Sequence, residues 1–357
     1  MSENGFSAQT FWPHLTSELV ACCFQRERGN FDHERFGRAS STRGPIKNTI
    51  LDLAANAGFY RFPGTFARLP AIPGLDTAYA LLEDQPSRDL FVRILVYRML
   101  GYEQVRLARN NTNYWTLRRS LPEYIEGGPG KNSTTGTGTL DLYAINGIRL
   151  LTDQWGALNT FLLEQYRCVR AGIGVEPDDV VIDGGGCFGD TALYFAQKAR
   201  QVYCFECMPA NLAIARKNLA MNPALAGKIY LVERALWSRP GERLVFDDRG
   251  PASHRASNEK GTVVSTQTID ELVREAGLER VDFIKMDIEG AEPEALMGAK
   301  DTLRTFRPRL AITLYHDTRH FAQIPNWLAG LGLGYRFYID HFTIHSEETV
   351  LFARSRQ

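Results

Sequence analysis

The stretch that most constrains the fold of this chain is a glycine-rich turn set between two apolar segments. Val180-Val181-Ile182 reads as a buried strand. Asp183-Gly184-Gly185-Gly186-Cys187-Phe188-Gly189 follows it, and Asp190-Thr191-Ala192-Leu193-Tyr194-Phe195-Ala196 then reads as the start of a helix. Glycines between strand and helix let a ligand approach the backbone without meeting a Cβ atom. The next apolar run, Val202-Tyr203-Cys204-Phe205, ends in Glu206, an acid placed to accept hydrogen bonds from both hydroxyls of a ribose. The pattern predicts a β-α-β unit that binds an adenosine-containing cofactor.

Gly184-x-Gly186-x-x-Gly189 also fits the dinucleotide fingerprint, which alone is weak. Asp183, directly before the glycines, would repel a pyrophosphate seated on the helix N-terminus. It suits the ammonium and sulfonium of S-adenosylmethionine. Asp287 and Glu289, in Met286-Asp287-Ile288-Glu289-Gly290 after a later strand, extend the negative rim and favour a cationic cofactor by Coulomb attraction. S-adenosylmethionine is therefore preferred over NAD.

From residue 180 onward the chain alternates strand and helix. Strands are expected at 180–182, 202–205, 228–234, 281–287 and 309–315, with a final pair at 335–339 and 349–353. Helices are expected at 156–170, 190–198, 209–220, 268–276, 293–305 and 321–331. A hairpin-like insert spans 243–246 and 262–264 around the polar loop 247–261, which holds His254. The short link between the last two strands makes one of them antiparallel to its neighbour. The expectation is an α/β sheet of seven mostly parallel strands with helices on both faces, and seven strands ending in a reversed pair resemble the sheet of Rossmann-like class I methyltransferases. A smaller, mostly helical N-terminal region precedes it. The division falls at 1–155 and 156–357. Within the first part, 87–100 reads as an amphipathic helix, 126–139 as an exposed loop, and 140–144 with 148–152 as a hairpin closed by Asn146-Gly147.

Composition excludes several classes. Lys plus Arg and Asp plus Glu are balanced at 41 each, which argues against a nucleic-acid partner. No apolar run approaches the roughly 20 residues of a membrane span, and the first residues lack a signal-peptide pattern. Cysteines at 22, 23, 168, 187, 204 and 207 read as scattered reduced thiols, so a cytoplasmic location is expected. The sequons at Asn110 and Asn132 read as chance matches.

Three ordered segments carry a family likeness: residues 180–190, then Phe205-Glu206 through Asn211-Leu212, then Asp282-Phe283-Ile284-Lys285-Met286-Asp287-Ile288-Glu289-Gly290-Ala291-Glu292. Together they resemble the FkbM-type methyltransferases over roughly residues 160–353. The resemblance implies O-methylation of a hydroxyl on a sugar, a glycan or a polyketide or peptide natural product. The usual family loop, Asp-x-Gly-Ala-Asn-x-Gly, is replaced here by Gly185-Gly186-Cys187. The expected cofactor contacts are Asp183, Gly184, Gly185, Gly186, Asp190, Thr191, Glu206, Asn211 and Ala235.

Ligands of open α/β sheets bind at the carboxyl ends of the strands. There Asp287, Glu289 and His316 are the expected catalytic residues, with His316 a base suited to neutral pH and Asp287 its orienting partner, the acceptor's ligand or a contact of the cofactor's methionyl end. Glu289 reads equally as a charge near the next helix N-terminus. A divalent metal on Asp287, His316, His341 and His345 is the less favoured reading, and His320 is expected on a solvated face. Gln165 and Tyr166 either close over the cofactor or pack between domains. Tyr114, Trp115 and Tyr124 either stack on a sugar ring or pack against the cofactor domain. The expected partner is a small-molecule or glycan acceptor, and a homo-oligomer stays open.

Overall fold

Strand alternation sorts the apolar residues onto two faces of one sheet. Val180 and Ile182 join one core, with Leu310, Ile312, Leu351 and Ala353. Val181 joins the other, with Ala311, Val350 and Phe352. In the computed structural model the described residues are 7–33, 69–128, 133–135, 138–246, 256–257 and 261–356. His254 and Asn132 lie outside them.

A three-stranded antiparallel sheet comes first, formed by β1 (Ser133–Thr135), β2 (Gly138–Ile145) and β3 (Ile148–Thr152). Ile145 faces Ile148, and Asn146 and Gly147 take φ of 55° and 80°, so the two-residue turn is the expected one. The expected exposed loop 126–139 instead contains β1 and the start of β2. Next come β4 (Val180–Gly184), β5 (Gln201–Phe205) and β6 (Ile229–Val232). A second small sheet follows, built from β7 (Ala235–Leu236), β8 (Arg243–Phe246), β9 (Ala256–Ser257) and β10 (Thr262–Gln267). It contains the expected hairpin-like insert, with β8 antiparallel to β10. The chain ends with β11 (Phe283–Met286), β12 (Arg309–Thr313), β13 (Tyr335–His341) and β14 (Thr349–Ser355).

The main sheet has seven strands in the order β13-β14-β12-β11-β4-β5-β6. All neighbours are parallel except β14, which is antiparallel to both β12 and β13. The order reverses beside β4, so the carboxyl ends of β4, β5, β11 and β12 open on one crevice.

Three expected helices differ. Residues 156–170 hold no continuous helix: a short turn, Gln154–Gly156, runs into a π-helical segment, Ala157–Leu162, and a 3-10 turn, Val169–Ala171, follows after a break. The helix expected at 293–305 is two, Glu292–Met297 and Lys300–Phe306, interrupted by Gly298. A Cβ on Gly298 would lie 2.2 Å from the Trp237 carbonyl oxygen, so the break is a close packing point. The helix Gln85–Leu100 is buried on nearly all sides, Arg88 and Arg98 included, rather than amphipathic.

Its burial bears on the expected 155/156 boundary. Phe11, Phe91, Ile94 and Leu95 share one core with Phe321 and Phe337. Tyr114, Tyr143 and Leu150 share the other with Phe195 and Phe283. Residues from both sides of the boundary thus build both cores.

Candidate active site

The glycine turn is shaped first by its own backbone. A Cβ on Gly185, at φ 79°, would stand 1.9 Å from the Asp287 carbonyl oxygen, and one on Gly186 would stand 2.1 Å from Cys204 Sγ. The loop therefore needs glycine to pass beside β11 and β5, and Gly185 lines the crevice while Gly184 and Gly186 do not. Asp183 also departs from expectation. It is fully buried, with Oδ1 3.1 Å from Lys285 Nζ and Oδ2 accepting from Thr191 Oγ1 at 2.6 Å, and it does not line the crevice. Burial alone would push the Lys285 ammonium down, but Asp183, Asp287 and Asp190 hold it above its ordinary value. Lys285 Nζ also donates to the carbonyls of Gly184 (2.9 Å) and Gly185 (2.6 Å), which ties the turn to β11.

Breaking a buried pair leaves an uncompensated charge. Lys285→Met is expected to destabilise the fold by about 3–5 kcal/mol, and Asp183→Asn with Lys285→Met to recover most of that loss. Urea unfolding of both variants measures this. A single variant within about 1 kcal/mol of the parent would show that Asp183 does not depend on Lys285.

The crevice has a volume of about 410 Å³, within the range of about 300–1,000 Å³ of small-molecule sites. Of the expected cofactor contacts, Gly185, Asp190, Thr191, Glu206, Asn211 and Ala235 line it. Glu206 is held by its own turn, with Oε1 accepting from the backbone of Cys207 and Met208 at 2.7 Å each, and Oε2 from Asn211 Nδ2 at 3.3 Å. Burial raises its carboxyl to about 6 despite those hydrogen bonds. Burial also raises Asp190 to about 6, although Thr160 Oγ1 donates to it at 3.1 Å.

The opposite wall was not legible as a site. It comprises Thr152, Asp153, Trp155, Gly156, Asn159 and Thr160, from the end of β3 and the π-helical segment. Thr152 Oγ1 and Asn159 Oδ1 are buried with no hydrogen-bond partner among the described residues. One sequence signal was present: Asp153 caps the turn, accepting from the Trp155 and Gly156 amides at 2.9 and 2.8 Å. Tyr114, Trp115 and Tyr124 do not line the crevice; they pack in and against the second core.

The part of the crevice beside the ends of β11 and β12 centres on Asp287. Tyr166 donates to Oδ2 at 2.8 Å and Tyr315 to Oδ1 at 3.0 Å. Burial, reinforced by Asp287, raises both phenols well above their ordinary value, so they stay protonated as donors. Tyr166 and Gln165 both line the crevice, and Gln165 Nε2 donates to Glu348 Oε2 at 2.7 Å. Behind Asp287 stands His316, whose side chain is 3% exposed. Its Nδ1 lies 2.9 Å from Glu292 Oε1; its Nε2 lies 3.4 Å from Asp287 Oδ1 and 3.6 Å from Glu289 Oε2. Burial works against the imidazolium, yet Glu292, Asp287 and Glu289 raise His316 to about 9. Burial likewise opposes charge on Glu292, but His316 and His320 bring it down to about 2. The pair therefore contributes its full stability between about pH 4.5 and 6.5. That contribution is lost as pH rises through about 9 or falls through about 2. His316 carries its proton at neutral pH, contrary to the expectation of a ready base.

The other histidines are elsewhere. His320 is buried with Nδ1 3.4 Å from Glu292 Oε2, not on a solvated face. His345 accepts from the Asp32 amide at 3.0 Å and bonds the Tyr97 hydroxyl, and His341 Nδ1 pairs with Thr349 Oγ1 at 3.0 Å. Neither lies with Asp287, Glu292 and His316, whose donor atoms fall within 4.8 Å of one another.

The donor set suits a cation-bearing cofactor. Asp153, Asp190, Glu206, Asp287, Glu289, Glu347 and Glu348 line the crevice against only Arg234 and Lys285. A seven-stranded sheet with one reversed strand, a glycine turn after β4 and an acid after β5 is the architecture of a Rossmann-like methyltransferase. Residues 183–337 match the family description "Methyltransferase FkbM domain". The chain is 30% identical over 173 residues to 2-O-methyltransferase NoeI of Sinorhizobium fredii, covering 42% of this chain and 69% of that protein. It is 29% identical over 133 residues to hexuronic acid methyltransferase AglP of Haloferax volcanii, covering 36% and 54%. The solved structure of methyltransferase FkbM from Methylobacillus flagellatus shares the fold, with a TM-score of 0.52 at 19% identity over 81% of this chain and 60% of that one. This chain belongs to the FkbM methyltransferase family, whose members take the methyl group from S-adenosylmethionine. No helix among the described residues is long and apolar enough to cross a membrane.

Proposed function

We propose that the chain transfers a methyl group from S-adenosylmethionine to a hydroxyl of a sugar or glycosylated compound. The observation that carries this reading is Asp287, a carboxylate on the crevice wall held by two protonated phenols at the carboxyl end of β11. The names of the two bacterial and archaeal relatives, a 2-O-methyltransferase and a hexuronic acid methyltransferase, support a polyhydroxylated acceptor.

When bound, the sulfonium supplies an activated methyl carbon for in-line displacement. Glu206 would hold the ribose hydroxyls, and Asp190 with Asn159 and Thr152 would face the charged methionyl end. Asp287 binds the acceptor hydroxyl and receives its proton as the new O–C bond forms. Tyr166 and Tyr315 fix the carboxylate's orientation. The carboxylate-lined wall holds the positive charge of the donor in place until transfer removes it. Incubating the purified chain with methyl-labelled donor and a panel of hexoses, uronic acids and oligosaccharides tests the reading; label appearing only on nitrogen or carbon would refute it.

Glu206 offers a second test with two readouts of opposite sign. Glu206→Gln removes charge-assisted bonds, so S-adenosylhomocysteine should bind about 1.5–3 kcal/mol more weakly, roughly 10- to 150-fold. The carboxyl is raised from 4.5 to about 6 in the fold, so its charged form destabilises the cofactor-free chain by about 2 kcal/mol above pH 6. That penalty fades as pH falls toward 4.5, so cofactor-free stability should rise more across this window in the parent than in the variant, which keeps only the like contribution of Asp190. Calorimetry at pH 7.5 and thermal unfolding from pH 7.5 to 5 measure both. Unchanged affinity would remove Glu206 from the cofactor site.

A further inference from the structure

His316 is surrounded in a way that neither a general base nor a simple ion pair requires. One ring nitrogen is fixed by Glu292, a carboxylate with 0% exposure that itself accepts from the Ile288 amide at 2.9 Å and the Gly290 amide at 3.4 Å. The other nitrogen is directed at Asp287 Oδ1 (3.4 Å) and Glu289 Oε2 (3.6 Å). Metal-ligating histidines are typically built this way, one nitrogen donating to a buried carboxylate and the other facing the ion. Ligating carboxylates are themselves hydrogen-bonded, as Asp287 is by Tyr166 and Tyr315.

Spacing and charge agree. Ligands about 2.0–2.2 Å from one cation stand roughly 2.8–3.1 Å apart in octahedral and roughly 3.3–3.6 Å apart in tetrahedral geometry, and the 3.4 and 3.6 Å spacings from His316 Nε2 fall in the tetrahedral range. Three carboxylates surround one imidazole, so the cluster is negative even when His316 is protonated, and a cation bound at Nε2 displaces that proton to solvent. Asp287 and His316 have donor atoms within 4.8 Å of each other and of Glu292, and Glu289 reaches the same face of the ring through Oε2, 3.6 Å from His316 Nε2. Asp287 and Glu289 line the crevice, whereas His316 does not. An ion bridging them would have its remaining positions open to the acceptor.

We propose that Asp287, Glu289 and His316 hold one divalent cation at the acceptor end of the crevice, with Glu292 positioning the imidazole. Mixed imidazole and carboxylate donors suit a cation such as Mn²⁺ or Zn²⁺. Its use rests on the O-methylation reading: it polarises the acceptor hydroxyl and a neighbouring sugar oxygen. The O–H bond breaks, and the proton passes to the Asp287 oxygen not engaged by the ion. The O–C bond forms as the methyl–sulfur bond breaks, and that electron pair stays on sulfur.

The test is titration of the chelator-stripped full chain with Mn²⁺, followed by calorimetry and by the electron paramagnetic resonance of bound Mn²⁺. One ion per chain is expected. His316→Ala should abolish binding, and Glu289→Gln, at a partly exposed position that leaves the fold intact, should weaken it at least tenfold. S-adenosylhomocysteine affinity should stay within about threefold in both variants. Absence of Mn²⁺ binding at millimolar concentration, binding that persists in both variants, or full methyl transfer after chelation would each overturn the proposal. Failure of the parent chain to bind S-adenosylhomocysteine would overturn the donor assignment instead, whatever the metal does.

Discussion

Asp287→Asn is expected to lower single-turnover methyl transfer by roughly 10²–10⁴-fold, the range of a lost proton acceptor, while S-adenosylhomocysteine still binds within a few-fold. The substitution keeps the size of the side chain and one carbonyl oxygen for the Tyr166 or Tyr315 hydroxyl. It removes the charge that receives the acceptor proton and a ligand of the proposed cation. A loss confined to the chemical step would appear as a fall in kcat with little change in cofactor affinity. The phenols provide an internal control. Tyr315→Phe deletes one hydrogen bond to the same carboxylate, so it should cost about 1.5–3 kcal/mol, while leaving a proton acceptor in place. An Asp287→Asn enzyme with more than half of parental turnover would exclude Asp287 as the proton acceptor.

The parts of this site that were legible in the sequence are those set by one strand and its turn. Val180-Val181-Ile182 before a glycine turn, and Phe205-Glu206 at the next strand end, each carry their signal within a few residues. The sheet placed Glu206 and Asp287 on one crevice as expected, because ligands collect where the strand order reverses. What could not be read depends on partners distant in sequence. Lys285 reads as one residue of an apolar strand; that it neutralises Asp183 appears only when β11 pairs with β4. His316 looks like a base until Glu292, 24 positions earlier, is seen at its other nitrogen. The residue pattern of 156–170 suggests a helix of ordinary pitch, but the backbone widens into a π-helical segment, a local departure often found at functional sites. Apolar spacing in Gln85–Leu100 revealed a helix, yet not that it is enclosed, since enclosure comes from helices and a strand on every side.

That enclosure bears on what a shortened chain would do. A chain beginning near Gly156 is expected to lack cooperative unfolding and to bind no S-adenosylhomocysteine, rather than to survive as a cofactor domain. The cut removes Phe91, whose ring lies 5.7 Å from that of Phe321, together with Ile94, Leu95 and the rest of a helix that completes the first core. It removes the Glu83 amide, which donates to the Phe337 carbonyl at 2.8 Å on the edge strand β13. Arg98 goes too, and with it the hydrogen bond to the Tyr315 carbonyl at 2.8 Å that pins the segment between β12 and His316. On the other face, the exchange between Asn218 and the Leu151 backbone at 2.7 and 2.9 Å is lost with β3. Burying a large apolar side chain contributes about 1.5–3 kcal/mol, and a whole domain is stable by only about 5–15 kcal/mol. Uncovering several such side chains at once exceeds that margin. Circular dichroism on melting, with calorimetric titration of the same sample, decides the matter. A sharp transition with parental S-adenosylhomocysteine affinity would show that residues before 156 are an accessory layer and that the acceptor end of the crevice is built without them.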